Sequence, residues 1–289
     1  MMEKLDLHLH STVSDGTDTP EELLDRARAV GLDLFALTDH DAIQGCARVL
    51  ALRRPGDPAF LSGVEFNARD GAGKYHILGY GCRPDAEAIL RVVETGHRYR
   101  MQKLLARLDF LETRYGFAFS PEDRAGLLAL DNPGKPHIGN LMVKLGYAPT
   151  KEVAIRGYID SFHIPDAYVT PREVLEGILA SGGIPVLAHP CFGSGDELIL
   201  GDALETRVRR LMDLGLQGLE GYYSGFSEKL REEVLALAAR YELYITAGSD
   251  YHGRNKLVRL ADTGLGPPAT WPQGLHRFLS RWQDAGGRL

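Results

Sequence analysis

The chain begins with a regular pattern, Lys4-Leu5-Asp6-Leu7-His8-Leu9-His10-Ser11, in which leucines alternate with polar residues. Because side chains alternate along a strand, the pattern predicts a strand with the leucines on one face and His8 and His10 on the other. Two such imidazoles lie about 7 Å apart at their Cα atoms and can bind one metal ion. The alternative is a half-buried strand with an ordinary polar face. The later strands bear on that choice.

Length and composition exclude several classes of protein. The 289 residues suffice for one large domain or two smaller ones. The formal net charge of −6 argues against a surface that coats nucleic acid, but not against a local basic pocket. The cysteines, at 46, 82 and 191, form no CxxC pair, so neither a disulfide framework nor a thiolate zinc site is expected. Without a cleavable leader or a membrane-spanning segment, a cytoplasmic protein is the expectation.

Helix and strand signals alternate up to about residue 85 and again from about residue 170. Thr19-Pro20-Glu21-Glu22 predicts a helix start with a capping box. Polar residues follow most of the predicted strands, which is typical of an α/β fold with a parallel sheet or barrel and a site at its carboxyl edge. The further predicted strands are 32–37, 60–66, 75–80, 184–190, 219–223 and 243–253.

Residues 86–169 predict helices and no strand. We expect this segment to be a helical insertion that forms a second lobe covering the site, while residues 1–85 and 170–289 form the barrel. Asn132 to His137 predicts a turn that leads into a helix. The predicted helices of the insertion are 88–115, 121–130, 137–145 and 151–159.

Metal-binding residue types gather at the predicted strand ends. Imidazole and carboxylate ligands together suit zinc, manganese or iron. Nine ligands exceed what one ion can use, so we expect two or three ions that share a carboxylate. The candidates are His8, His10, Asp15, His40, Glu65, His76, His189, Asp250 and His252.

As a set, these motifs resemble those of the PHP (polymerase and histidinol phosphatase) family. The resemblance implies a distorted (β/α)7 barrel, similar to that of amidohydrolases, with up to three divalent ions. Mn²⁺ is the expected ion, and Zn²⁺ and Fe²⁺ are alternatives. The motifs are Asp6-Leu7-His8-Leu9-His10-Ser11, Ser14-Asp15-Gly16, Thr38-Asp39-His40, Gly63-Val64-Glu65, Ala188-His189-Pro190 and Gly248-Ser249-Asp250-Tyr251-His252-Gly253.

The resemblance also implies a role for each candidate. Asp39 is expected to orient a ligand imidazole. The implied reaction is attack of a metal-bridging hydroxide on phosphorus, with His137 as a candidate proton donor to the leaving group. The implied ligand groups are His8, His10, Glu65 and Asp250 for the first ion, Glu65, His76 and His189 for the second, and Asp15, His40 and His252 for the third.

The insertion resembles that of the family branch that removes phosphate from nucleotides. The sequence here is Gly134-Lys135-Pro136-His137-Ile138, whereas that branch more often has Arg-Pro-His-Ile. Lys135 in place of the arginine keeps the positive charge but loses the guanidinium group that can bind a phosphate through two N–H donors. The implied enzyme removes the 3′-phosphate from nucleoside 3′,5′-bisphosphates such as adenosine 3′,5′-bisphosphate. The expected partner is therefore a small phosphorylated nucleotide, without a membrane or an obligate protein partner.

Substrate contacts are expected from the insertion and from one strand end. Free N–H groups and the dipole at a helix start favour phosphate. Alternatively, Arg98 and Arg100 lie on a solvated helix face and do not contact substrate, and Tyr223 packs in the rim of the barrel. The candidates are Gly134, Lys135, His137, Arg98, Tyr99, Arg100, Gln102 and Tyr223. Three other histidines, His97, His163 and His276, are assigned to the surface.

Three other functions stay open at this point. One is a 5′→3′ exoribonuclease on short RNA, since a bisphosphate and an RNA 5′ end both present a 5′-phosphate followed by a 3′-phosphoester. The acidic net charge disfavours long polymers in that case. Histidinol-phosphate hydrolysis is disfavoured by the insertion. A non-catalytic metal-binding module is disfavoured because every ligand position is filled.

Overall fold

Seven strands of the computed structural model form one sheet within the described residues, which are 2–162, 164, 167–193 and 197–286. The strands are β1 (Leu5–Leu9), β2 (Leu34–Leu37), β3 (Ala59–Asp70), β4 (Gly73–Tyr80), β5 (Ile184–Leu187), β6 (Gly218–Tyr223) and β7 (Tyr244–Gly248). The helices are α1 (Pro20–Val30), α2 (Gln44–Leu52), α3 (Glu87–Tyr115), α4 (Pro121–Leu128), α5 (Lys135–Lys144), α6 (Lys151–Gly157), α7 (Pro171–Ala180), α8 (Gly201–Met212), α9 (Glu228–Arg240) and α10 (Gln273–Asp284).

The sheet follows the order of the chain and nearly closes on itself. Neighbouring strands run from β1 to β7 in sequence, and the His10 N–H closes the ring by donating to the Tyr251 carbonyl at 2.9 Å. All pairings are parallel except those of β4, which is antiparallel to both β3 and β5. The expected α/β barrel is therefore confirmed, and one reversed strand makes its sheet mixed.

That reversed strand changes where two predicted ligands lie. The hairpin of β3 and β4 continues as far as the Asp70–Gly73 pair, so β3 runs four residues beyond the predicted end at Phe66. Glu65 and His76 are consequently within strands and not at strand ends, which corrects the prediction. Because β4 runs in the opposite direction, its first half faces the same mouth as the carboxyl ends of the other strands.

The first strand is buried on both faces. Leu5, Leu7 and Leu9 belong to the barrel core, and His8 and His10 are fully buried on the other side. The alternative of a half-exposed strand with an ordinary polar face is therefore excluded. The helix after it starts as expected, since the Thr19 side chain accepts from the Glu22 N–H in a capping box.

The segment between β4 and α7 is helical within the described residues. Its helices pack around a separate apolar cluster made of Leu104, Leu108, Leu111, Phe119, Leu127, Ile138, Met142, Ala148, Ala154 and Ile159. The division of the chain at residues 85/86 and 169/170 into barrel and lobe stays a prediction. None of the described helices combines the length and the apolar character needed to cross a bilayer.

Candidate active site

The nine predicted ligand residues come together at one mouth of the barrel. Three groups have ligand atoms within 4.8 Å of one another among the described residues: His8–His10–Glu65, Glu65–His76–His189 and His10–Asp15–His40–His252. We call these three groups of side chains the metal clusters, after the ions that they could hold. Asp250 joins them, with its Oδ1 3.3 Å from His10 Nε2. The groups differ from the implied ligand sets in two respects, since His10 belongs to two of them and Asp250 to none. Which residue binds which ion stays a prediction.

Unusual backbone conformations turn some side chains into this mouth. His189 and Asp250, each just beyond a strand, have positive φ angles of 28° and 58°. Asp41, which follows β2, has a φ of 49°. A residue with a Cβ adopts such angles at a cost of order 1 kcal/mol or more, and these angles concentrate where function requires a fixed geometry.

Several buried polar atoms at the mouth have no hydrogen-bond partner in the part of the chain that the structure describes. Buried polar atoms are nearly always paired, because leaving one unpaired costs free energy. Divalent cations bound at the three groups would satisfy these atoms, and imidazole with carboxylate suits a transition metal. The residues thus fit the implied ions. The unpaired atoms are His8 Nε2, His10 Nε2, Asp15 Oδ1, Glu65 Oε1 and Glu65 Oε2.

The site keeps its carboxylates ionised. Burial alone would raise the pKa of Glu65, but the charges of His40 and His76 hold that pKa well below its ordinary value. Burial likewise opposes ionisation of Asp15, whose pKa is held well below its ordinary value by His40 and His252. Both groups can therefore act as anionic ligands at neutral pH.

Glu220 of β6 is a functional candidate that the sequence reasoning missed. Its Oε1 accepts from His8 Nδ1 at 2.8 Å, and its Oε2 accepts from the His189 backbone N–H at 2.8 Å. The first contact fixes the ring of His8 so that Nε2 faces the metal cluster. A carboxylate inside an otherwise apolar strand was the available signal, since Glu65 has the same context.

Asp39 acts on a ligand imidazole less directly than expected. Its carboxylate accepts from the Ser11 N–H and hydroxyl and from the Ser14 hydroxyl at 2.6–2.8 Å. His10 Nδ1 in turn lies 3.4 Å from Ser14 Oγ. Asp39 therefore holds the loop after β1, and its influence on His10 passes through Ser14.

Asp250 is held by two further side chains. The Tyr223 hydroxyl donates to Asp250 Oδ2 at 3.1 Å, and the Lys256 ammonium pairs with the same oxygen. Asp250 Oδ1 is thereby left to face the imidazoles. Tyr223, a predicted substrate contact, has its hydroxyl committed to this carboxylate, although its ring lines the neighbouring cavity.

Two cavities open beside the metal clusters. One, of about 260 Å³, extends past Glu65 and His189 to Phe192 and Tyr223. The other, of about 170 Å³, extends towards α3 and α5. Cations line the second cavity, which we call the cationic chamber; they are Lys74, Arg100, Lys103, Arg107 and Lys135.

Part of the positive charge in the cationic chamber has no carboxylate partner among the described residues. Arg100 pairs with Asp41 at 3.3 Å, and Lys135 pairs with Asp160. Lys103 and Arg107 are buried, and neither forms an ion pair with a carboxylate of the described residues. Lys103 lies 3.7 Å from the centre of the Tyr168 ring, and burial lowers its pKa to about 7.

Three of the four residues of α3 that were predicted to contact substrate lie away from the cationic chamber. Arg98 and Gln102 are exposed, and Tyr99 packs against the barrel core. None of these three lines the chamber, in contrast to Arg100, which does. Residues three and four apart share a helix face. The spacing of positions 100, 103 and 107 therefore indicates the face of α3 that lines the chamber, and the sequence analysis did not single out Lys103 and Arg107.

The turn before α5 also differs from expectation. Lys135 is the first residue of α5 and not part of the preceding loop. The Gly134 N–H donates to His137 Nδ1 at 3.0 Å, so it is not free for a phosphate. Burial lowers the pKa of His137, which favours the neutral ring. Its role as proton donor stays a prediction.

The three remaining histidines, which were assigned to the surface, differ in their exposure to solvent. His276 is exposed as expected. His97 is half-buried, and its Nδ1 lies 3.1 Å from Asn132 Oδ1, so its assignment to the surface is wrong. His163 lies outside the described residues.

Comparison with known proteins identifies similar sequences. The family model for the PHP domain matches residues 6–163. A phosphoribosyl 1,2-cyclic phosphate 1,2-diphosphodiesterase of Eggerthella lenta is 32% identical, over 91% of this chain and 99% of its own. A 3′,5′-nucleoside bisphosphate phosphatase of Chromobacterium violaceum is 29% identical, over 87% and 88%. A 5′-3′ exoribonuclease of Haemophilus influenzae is 26% identical, over 87% and 91%.

A solved structure has the same architecture. The crystal structure of a proposed metal-dependent phosphoesterase from Bifidobacterium adolescentis superposes with a TM-score of 0.82. It is 28% identical, and the match covers 96% of each chain. The barrel and the helical segment are therefore matched together.

Proposed function

The chain belongs to the PHP domain family, and on that premise we propose that it removes the 3′-phosphate from nucleoside 3′,5′-bisphosphates, such as adenosine 3′,5′-bisphosphate. The product is the nucleoside 5′-monophosphate. Family membership makes the chain a hydrolase of phosphoric esters. The observation that carries the finer proposal is the cationic chamber, which offers a place for a phosphate that is not cleaved.

The chain's own residues have distinct tasks in this reaction. Divalent ions at the three clusters would polarise the phosphoester and make water more acidic. His8 and Glu65 would hold them, and Glu220 fixes the His8 ring. Lys256 and Tyr223 keep Asp250 Oδ1 turned towards the imidazoles. These contacts prepare the geometry before substrate binds.

The charge of the chamber supports a second phosphate on the substrate. A buried cation without a partner is unfavourable, and a phosphate dianion would compensate Lys103 and Arg107 together. The chamber and the cavity over the clusters share His40 and His76 as lining residues. Two phosphates bound in these cavities would therefore be close neighbours, as they are on one nucleotide.

The test compares two variants of α3 on two substrates. Arg107→Met removes a chamber cation, and Arg98→Met removes an exposed arginine of the same helix. We expect Arg107→Met to lower kcat/KM for adenosine 3′,5′-bisphosphate by about 10- to 100-fold, since charged hydrogen bonds contribute about 1.5–3 kcal/mol. Arg98→Met should leave it unchanged. Equal kcat/KM values of the wild-type protein for adenosine 3′-monophosphate and for the bisphosphate would contradict the proposal.

A second candidate function has one observation in its favour. Past the metal clusters, the larger cavity reaches the rings of Phe192 and Tyr223, whose centres are 6.0 Å apart. Aromatic rings at that place suit the base of a following nucleotide. The chain would then release 5′-monophosphates from short 5′-phosphorylated RNA. A higher kcat/KM for a 5′-phosphorylated dinucleotide than for the bisphosphate would favour this activity. Phosphoribosyl 1,2-cyclic phosphate belongs in the same assay, given the Eggerthella lenta relative.

A further inference from the structure

Lys74 occupies the junction of the two cavities. It lines both of them, a property it shares only with His40 and His76 among their described lining residues. Lys74 precedes His76 by two residues on β4, so the two side chains project from the same face of the strand. The cavity over the metal clusters lies on one side of this junction, and the cationic chamber lies on the other.

The backbone at Lys74 is fixed from outside the site. Its carbonyl accepts from Arg207 Nη2 at 2.8 Å, and it pairs with Arg69 across the hairpin. Arg207 also lies over the ring of Tyr75, 4.4 Å from the ring centre. The start of the Lys74 side chain is therefore positioned by α8 and β3, independently of any ligand.

The ammonium of Lys74 has no partner within the described residues. It forms neither a hydrogen bond nor an ion pair there, although the side chain is half-buried. The charges that act on it are mostly of the same sign, from Lys135, Arg107 and Arg100, with Glu65 as the opposing charge. A cation in such surroundings is unfavourable unless an anion binds beside it.

We propose that Lys74 contacts both phosphates of a bisphosphate substrate at once. This inference rests on the proposed function and adds a residue that determines specificity. An ammonium has three N–H donors, so one can reach the phosphate over the metal clusters while another reaches the phosphate in the cationic chamber. Lys74 would then favour substrates whose phosphates are separated by about one ribose, and it would disfavour substrates with one phosphate.

The test asks whether the effect of Lys74 depends on the second phosphate. Lys74→Met keeps the length of the side chain and removes its charge, and Lys229→Met, on an exposed position of α9, is the matched control. We expect Lys74→Met to lower kcat/KM at least about tenfold more for adenosine 3′,5′-bisphosphate than for adenosine 3′-monophosphate, as for the loss of one charged hydrogen bond. Lys74→Arg should restore much of the difference, and Lys229→Met should change neither substrate.

A binding measurement on metal-free protein gives a readout independent of turnover. Calorimetry with adenosine 3′,5′-bisphosphate and adenosine 5′-monophosphate should show that Lys74→Met weakens the bisphosphate more than the monophosphate. Equal losses for both nucleotides, or equal kinetic losses for both substrates, would overturn the inference. Wild-type protein with no activity on the bisphosphate would instead refute the proposed function, so the two failures can be told apart.

Discussion

At the scale of single residues, the geometry of the metal clusters depends on side chains that are not themselves candidate ligands. Glu220 contacts His8 and the backbone of His189, which are far apart in sequence. It is fully buried, so both of its oxygens are used inside the protein. Such partners of metal-binding histidines set the orientation and the basicity of the imidazole.

Replacing Glu220 with glutamine should therefore weaken metal binding. The amide keeps one acceptor oxygen, but its NH₂ group can only donate, so one of the two hydrogen bonds, from His8 Nδ1 or from the His189 N–H, is lost. We expect metal affinity to fall about 10- to 100-fold, as found for partners of ligand imidazoles. Metal titration monitored by calorimetry measures this, with Glu228→Gln on an exposed position of α9 as the control. Unchanged metal affinity in Glu220→Gln would show that Glu220 does not orient the ligand imidazole of His8.

Lys103 is expected to destabilise the folded protein, because its ammonium is buried without a carboxylate partner among the described residues. Burial lowers its pKa from 10.5 to about 7. Between these values the unfolded chain binds a proton that the folded chain does not, so stability falls as the pH is lowered through this range. Below about pH 7, Lys103 is protonated in both the folded and the unfolded chain, and the loss of folding stability is at its full value. Above about pH 10.5 it is neutral in both, and this loss vanishes.

Lys103→Met is thus expected to raise the melting temperature while lowering activity on the bisphosphate. The loss of the contact with Tyr168 offsets about 1 kcal/mol of the gain. We expect a rise of about 2–4 °C at pH 7 and a smaller one at about pH 9.5, measured by calorimetry. A lower melting temperature at pH 7 would show that the buried charge is compensated within the protein.

At the scale of helices and strands, the sequence predicted which elements exist better than it predicted their directions. The leucine alternation of β1 and the capping box of α1 are local signals, and both were correct. The reversal of β4 follows from the hairpin with β3, a pairing that the pattern of either strand alone does not contain. His76 therefore lies beside Glu65 and His189, as expected for a candidate ligand, but within a strand and not at the predicted strand end.

The face of α3 could have been predicted and was not. Arg100, Lys103 and Arg107 recur at the spacing of one helix face, whereas Arg98 and Gln102 do not share it. Which face points to the barrel is set by packing against α7 and α5, and this contact is not local in sequence. Lys256 and Tyr223 were beyond prediction in their observed role, because their contact with Asp250 depends on where the loop after β7 folds back.

The close approach of β7 to β1 gives a prediction at this scale. A Cβ added to Gly248 would lie 2.2 Å from the Cβ of His8, so these strands can pack only with glycine there. We expect Gly248→Ala to destabilise the protein by about 2 kcal/mol or more through overpacking. In contrast, Gly126→Ala in α4 meets no atom within 4 Å and should stabilise by about 0.5–1 kcal/mol. Chemical denaturation measures both, and equal effects would contradict the packing argument.

At the scale of the whole molecule, the nine candidate ligands come from six strands of the barrel and the loops that follow them, and they meet at one mouth. The helical segment adds cations beside that mouth. Net charge is −6, yet the chamber next to the metal clusters is positive. This separation suits a small anionic ester better than a long polymer, which would need basic contacts over a wider surface. The family resemblance led to the mouth, whereas the chamber became visible only when α3 was placed against it.

The central claim is that these side chains hold divalent ions on which phosphoester hydrolysis depends. The direct measurement is phosphate release from adenosine 3′,5′-bisphosphate by protein stripped with a chelator until no divalent ion is detected by mass spectrometry, followed by addition of Mn²⁺. We expect activity to disappear on stripping and to return with Mn²⁺ in the wild type and in Glu228→Gln, but not in Glu65→Gln. Full activity in the stripped wild-type protein would contradict it.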